Sequence, residues 1–224
     1  MIRLHIVAEG PTEETFVKEL LSPPLFERGV LATPILIGKS GGCVAYGRLK
    51  KDVTLYLKSD PTSYCTTFID YYGLGPGFPA KITIGKHDPP AQKKEKLERA
   101  VYRDVADTLG KRYDASHFIP YVQMYEFEGL LFSDSARFAA AIGKPELVSA
   151  FEAIRAQVPS PEHINDDKTT APSKRVQGLY AGYTKEFLGN LAALEIGLST
   201  IRAACPLFNG WVERLEALGQ KDAV

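Results

Sequence analysis

An apolar, β-branched run from Ile2 to Ala8 breaks without a spacer into Glu9-Gly10-Pro11-Thr12-Glu13-Glu14. The run predicts a strand, and the acidic stretch after it predicts a helix start. Pro11 suits the first turn, where its missing N–H is no loss, and Glu13 and Glu14 suit the positive end of the helix dipole. Phe16, Val17, Leu20 and Leu21 come next at core-facing spacing, and the helix is expected to stop before Pro23-Pro24. The pattern then recurs. Residues 31–37 read as a second strand, and 46–58 as a helix carrying Leu49, Val53, Leu55 and Leu57. Residues 64–69 read as a third strand ending at Asp70. Residues 91–109 form a charged helix with Leu97, Val101, Val105 and Leu109 on one face, and 117–124 a fourth strand running into Tyr125-Glu126-Phe127-Glu128. Such alternation implies parallel strands joined by right-handed crossovers. The expected fold is therefore α/β: a Rossmann-like, mostly parallel four-stranded sheet with helices on both faces.

After Gly129 the strand signals fade, and helices are expected over 135–142, 145–157, 173–180, 186–194 and 198–218, with a polar loop over 158–172. This divides the chain into an α/β core, 1–132, and a helical C-terminal extension packed on it, 133–224. Gly73-Leu74-Gly75-Pro76-Gly77-Phe78-Pro79 is too rich in glycine and proline for regular structure and reads as a mobile surface loop.

Lys+Arg and Asp+Glu number 27 each, so the molecule has no net field to attract a polyanion, and any nucleic-acid contact must come from a local basic patch. Cys43, Cys65 and Cys205 show no CxxC pairing, which argues against a zinc knuckle or a disulfide scaffold. The first residues are too short and too charged for a signal peptide, and no run of about 18 uncharged apolar residues exists to span a membrane. A cytoplasmic protein is expected. The four histidines, His5, His87, His117 and His163, lack metal-binding spacing, and Lys39 near Gly41-Gly42 lacks the order of a phosphate-binding P-loop.

In an open parallel sheet, residues just past the carboxyl ends of the strands converge even when far apart in sequence. Glu9 stands there after strand one, Asp70 after strand three, and Glu126 and Glu128 after strand four. Taken singly, each acid reads as a turn or cap residue. Together they repel one another unless a cation neutralises them, and hard oxygen ligands select Mg²⁺ or Mn²⁺. If the chain is still extended at Glu126, both glutamates share a face; if it has begun to coil, they diverge and only one can be a ligand.

These same residues carry a resemblance. Glu9-Gly10-Pro11-Thr12-Glu13 after an apolar strand, Asp70 at the end of a third, Glu126-Phe127-Glu128-Gly129-Leu130-Leu131-Phe132, Ala171-Pro172-Ser173-Lys174-Arg175 and Cys205-Pro206-Leu207-Phe208-Asn209-Gly210-Trp211 resemble the bacterial family called domain of unknown function 4276. That family is similar to the Toprim fold of topoisomerases, primases and OLD-type nucleases. The resemblance implies a Toprim-like core in which Glu9 matches the acid/base glutamate and Asp70 the first aspartate of an Asp-x-Asp pair holding Mg²⁺. Asp70-Tyr71-Tyr72 departs from that pattern, because a tyrosine stands at the second acid. Either Glu126 or Glu128 then completes the site, or catalysis is weakened or lost. Lys174 and Arg175, at a helix start, are candidates for a scissile-phosphate contact, and equally for solvated surface charge.

The expected function is a metal-dependent nuclease or related phosphoryl-transfer hydrolase acting on DNA or RNA. The resemblance implies an ATPase partner in a phage-defence-like system. The alternative is a non-catalytic Toprim-like module that docks a partner ATPase.

Overall fold

The computed structural model describes residues 1–37, 44–164, 167 and 170–220; Lys39, Gly41, Gly42 and Cys43, singled out above, lie outside them. The chain forms two compact units, Met1–Gln123 with Glu213–Val224, and Met124–Val212. The sequence pattern alone puts the division after Phe132.

The first unit is an α/β layer structure. Strands β1 (Ile2–Ala8), β2 (Val30–Leu36), β3 (Tyr64–Asp70), β4 (Phe118–Ile119) and β5 (Val122–Gln123) form one sheet in the order β2-β1-β3-β4, with β5 also on β3, and every pairing is parallel. The expected fourth strand is thus in two pieces. Pro120 supplies no N–H to the ladder, and at Tyr121 the Thr67 hydroxyl takes over, accepting from the backbone N–H at 2.8 Å and donating to the carbonyl at 2.7 Å.

Side-chain alternation along β3 sorts the helices. Cys65 and Ile69 join a core with Leu49, Val53 and Leu57 of α3 (Tyr46–Ser59) and Leu97, Val101 and Val105 of α4 (Pro90–Leu109). Phe68, of opposite parity, meets Phe16 of α1 (Pro11–Phe16), with ring centroids 5.7 Å apart. Helices therefore cover both faces. The helix after β1 does not stop at the prolines. A π-helical turn, Val17–Leu21, leads into α2 (Ser22–Glu27), and the Ser22 N–H reaches back to the Val17 carbonyl. Pro23 and Pro24 fall in the first turn of α2, where their missing donors are tolerated. The glycine-rich stretch is tied to the core as well, since Leu74 and Phe78 are buried and Leu74 bridges to Val44.

The second unit is helical: α5 (Glu128–Leu131), α6 (Ser135–Ala141), α7 (Val148–Arg155), α8 (Pro172–Leu179), α9 (Asn190–Ile196), α10 (Leu198–Ala204) and α11 (Pro206–Glu216), the last continuing into the first unit. Phe138 stacks on Phe151 at 4.5 Å, and Phe132 meets both rings edge-on at 5.5 Å. The single helix expected over 198–218 is broken at Cys205, because Pro206 cannot donate into the preceding turn. Cys65 and Cys205 are free, buried thiols whose pKa burial pushes up. No helix among the described residues is long and apolar enough to cross a membrane.

Candidate functional site

The strand order contains one reversal. From β1 the chain moves to β2 on one side, then returns to place β3 on the other side of β1. The carboxyl ends of β1 and β3 therefore flank the topological switch point, where the helices that follow leave on opposite faces of the sheet. Glu9 and Asp70 stand at this point. Ala8 pairs with Phe68, the Glu9 N–H donates to the Phe68 carbonyl at 3.1 Å, and the Glu9 carboxylate accepts the Asp70 N–H through Oε2 at 2.9 Å. Asp70 is 4% exposed.

Gly73 makes this arrangement possible. A Cβ built on it would lie 2.5 Å from both Glu9 carboxylate oxygens, so the carboxylate rests against a backbone that any side chain would push away. The backbone is held there by Val44, whose N–H donates to the Gly73 carbonyl at 3.0 Å. Gly73→Ala is expected to leave the fold nearly intact, at a cost of about 1 kcal/mol, because the displaced atoms are the far end of a flexible side chain. Glu9 should nevertheless leave Asp70, taking away the acceptor of the Asp70 N–H. Thermal denaturation and hydrogen exchange of the Asp70 amide check this; unchanged protection of that amide would detach Gly73 from Glu9.

The sequence pattern makes Glu13 a helix-dipole residue, but it is buried at 2% exposure in the first turn of α1. Nothing in the sequence marks Lys81. Its Nζ donates to the Tyr71 carbonyl at 2.8 Å and lies 3.1 Å from the centroid of the Tyr71 ring, one residue beyond Asp70. A lone lysine in a loop has no signature, and only the fold brings it here.

Glu126 and Glu128 belong to the second unit. The chain coils there. Tyr125 has a left-handed φ of +26°, which is strained for a bulky residue, and Glu128 opens α5. Of the two alternatives, divergence applies. The Glu126 carboxylate accepts the Ser173 N–H at 2.9 Å in the first turn of α8, while Glu128, 2% exposed, lies 3.8 Å from Lys185 Nζ. Burial first, and then the Glu128 carboxylate, push the Tyr183 phenol well above its ordinary range. Lys174 is exposed and reaches Gln177 at 3.3 Å, and Arg175 donates to the Thr170 carbonyl at 2.8 Å. A further carboxylate has no mark in the sequence: Glu162, 1% exposed, accepts the N–H groups of Leu207 and Phe208 at 2.8 and 2.7 Å, at the start of α11.

Among the described residues, no group of three or more His, Cys, Asp or Glu side chains is arranged to hold a metal ion. The pair at the sheet edge is the part of the expected constellation that the structure brings together. Fold and site define a parallel α/β protein with two carboxylates at its switch point. The chain matches the family described as Domain of unknown function (DUF4276) over residues 8–216, and it belongs to that family. No curated protein and no solved structure matches it.

Proposed function

We propose that the protein is a Mg²⁺- or Mn²⁺-dependent nuclease or related phosphoryl-transfer enzyme acting on nucleic acid, with Glu9 and Asp70 as the metal-holding pair. The observation that carries this reading is their placement at the switch point, locked together by the Glu9 Oε2 to Asp70 N–H bond. Two hard carboxylates fit Mg²⁺, which is bound through one or two of them and keeps its other positions for water and phosphate oxygens. When bound, such an ion activates a water and stabilises the leaving oxygen. Glu9, held by the Asp70 N–H through one oxygen, orients the other. Asp70 supplies charge from a site with little solvent screening. The likeness of Glu9 and Asp70 to the Toprim acids adds weight to the assignment.

A second reading, a non-catalytic module that docks a partner ATPase, is favoured by two observations. Glu126 and Glu128 are engaged by Ser173 and Lys185 within their own unit, and Tyr72 stands where a second aspartate would complete the metal site.

The test is incubation of the purified protein with single-stranded, nicked and supercoiled DNA and with RNA, in Mg²⁺, Mn²⁺ or chelator, alongside calorimetric metal titration. Cutting that needs the metal supports the enzyme. Absence of both cutting and metal binding supports the docking module.

A further inference from the structure

Beyond Asp70, the chain makes a projecting loop before α4, and its geometry is over-determined. Lys81 is held on the Tyr71 carbonyl and ring. Lys93, 3% exposed, donates to the Lys86 carbonyl at 2.9 Å. Asp88 accepts the Gly85 N–H at 3.0 Å and pairs with Lys96 at 2.7 Å. Ala80 adopts a left-handed φ of +63°, a conformation that a non-glycine residue keeps only where its surroundings enforce it. The result of all this fastening is the display of one side chain. Ile82, in the short 3-10 turn Lys81–Thr83, is 82% exposed, more than any other large apolar residue among those described. Lys86 and His87 are exposed on the same loop.

A scattered exposed apolar residue needs no explanation. An isoleucine held out on a stapled loop, between Lys81, which is tied to the Tyr71 carbonyl next to Asp70, and the exposed Lys86, is a different matter. From this geometry we infer that the loop is the nucleic-acid contact of the sheet-edge site. Ile82 packs against an unstacked base step, and Lys86 contacts the adjoining phosphates. The preferred substrate is then single-stranded or locally unpaired nucleic acid, whose bases expose apolar faces that a closed duplex hides. Apolar wedges inserted between base steps work in this way elsewhere, and they are efficient where unstacking costs little. The flanking charges select a polyanion over an apolar protein surface. The pre-set loop limits the ordering entropy lost on binding. This inference rests on the proposed nuclease reading for its choice of ligand, but it makes a claim about binding that needs no turnover.

The experiment is fluorescence anisotropy of a labelled single-stranded oligonucleotide, and of the blunt duplex of the same sequence, with chelator present so that nothing is cut. Wild-type protein should bind the single strand more tightly than the duplex. Ile82→Ser should weaken single-strand binding about tenfold and leave its salt dependence unchanged, as expected for lost apolar burial. Lys86→Gln should lower the salt slope by about one contact. Both side chains are exposed, so the melting temperature should not move. If the wild type binds but Ile82→Ser binds equally well, or if the wild type binds neither probe, the inference is overturned. Metal-dependent cutting alongside an inert Ile82→Ser would sink the inference and spare the nuclease reading. Ile82-dependent binding without cutting under any metal would do the reverse.

Discussion

On the proposed nuclease reading, Glu9→Gln and Asp70→Asn are each expected to reduce metal-dependent strand cutting by about a hundredfold or more, and together by little more than either alone. The amides keep the size of the side chains and the capacity to accept a hydrogen bond, so in Glu9→Gln the new side-chain carbonyl oxygen can still meet the Asp70 N–H. What is lost is the negative charge that the proposed hard cation would require. A neutral amide oxygen is a much weaker ligand for Mg²⁺, and residues that act as a unit on one ion show strongly non-additive losses. Single-turnover cutting rates with saturating Mn²⁺, set beside calorimetric metal affinity, separate the causes. A rate restored by excess metal locates the defect in binding, and one that stays low locates it in chemistry. Wild-type-like cutting by Glu9→Gln would end the assignment, because Glu9 is the acid that the end of β1 presents to Asp70.

The frame of this site is open to reading from sequence, for identifiable reasons. β-Branched runs ending at Glu9 and Asp70 mark strand ends, and parallel topology places those ends along one edge. Periodic leucines and valines on residues 46–58 and 91–109 locate the covering helices to within a residue or two. The failures share a cause. Pro23-Pro24 reads as a stop because the sequence does not show that the preceding turn widens into a π-helix and restarts. Pro206 is hidden inside an apolar pattern that runs through it. The contact between Gly73 and Glu9 joins residues 64 apart in number, and no local signal encodes it.

The acids are the hardest to sort, because a carboxylate that binds metal and one that anchors a helix look alike in sequence. Glu126 and Glu162 both do the second: Glu126 accepts one N–H in the first turn of α8, and Glu162 accepts two at the start of α11. A helix start carries unsatisfied donors and a positive dipole end, so a buried carboxylate there is stabilised without any metal. An acid placed after a strand therefore becomes informative only once its hydrogen-bond partners are known.

Glu162 supplies the second large effect, on stability. Its carboxylate is 1% exposed and meets the Leu207 and Phe208 N–H groups, one on each oxygen. Phe208 is itself fully buried, beside Trp211 at 5.7 Å. Glu162→Ala removes both acceptors, leaves two donors at a helix start poorly satisfied, and opens a cavity where water is largely excluded. Hydrogen bonds to a charged acceptor contribute about 1.5–3 kcal/mol each. The expected loss is on the order of 3–5 kcal/mol, a fall in melting temperature of about 10 °C for a chain of this size. Glu162→Gln should fall between wild type and Glu162→Ala, because its single carbonyl oxygen can serve one N–H while its amide group opposes the other. Urea denaturation followed by the fluorescence of Trp211, the only tryptophan in the sequence, reads this directly, since the indole lies on the helix that Glu162 anchors. A Glu162→Ala unfolding free energy within about 0.5 kcal/mol of wild type would mean that α11 begins where it does because of Pro206 alone, with the carboxylate a bystander.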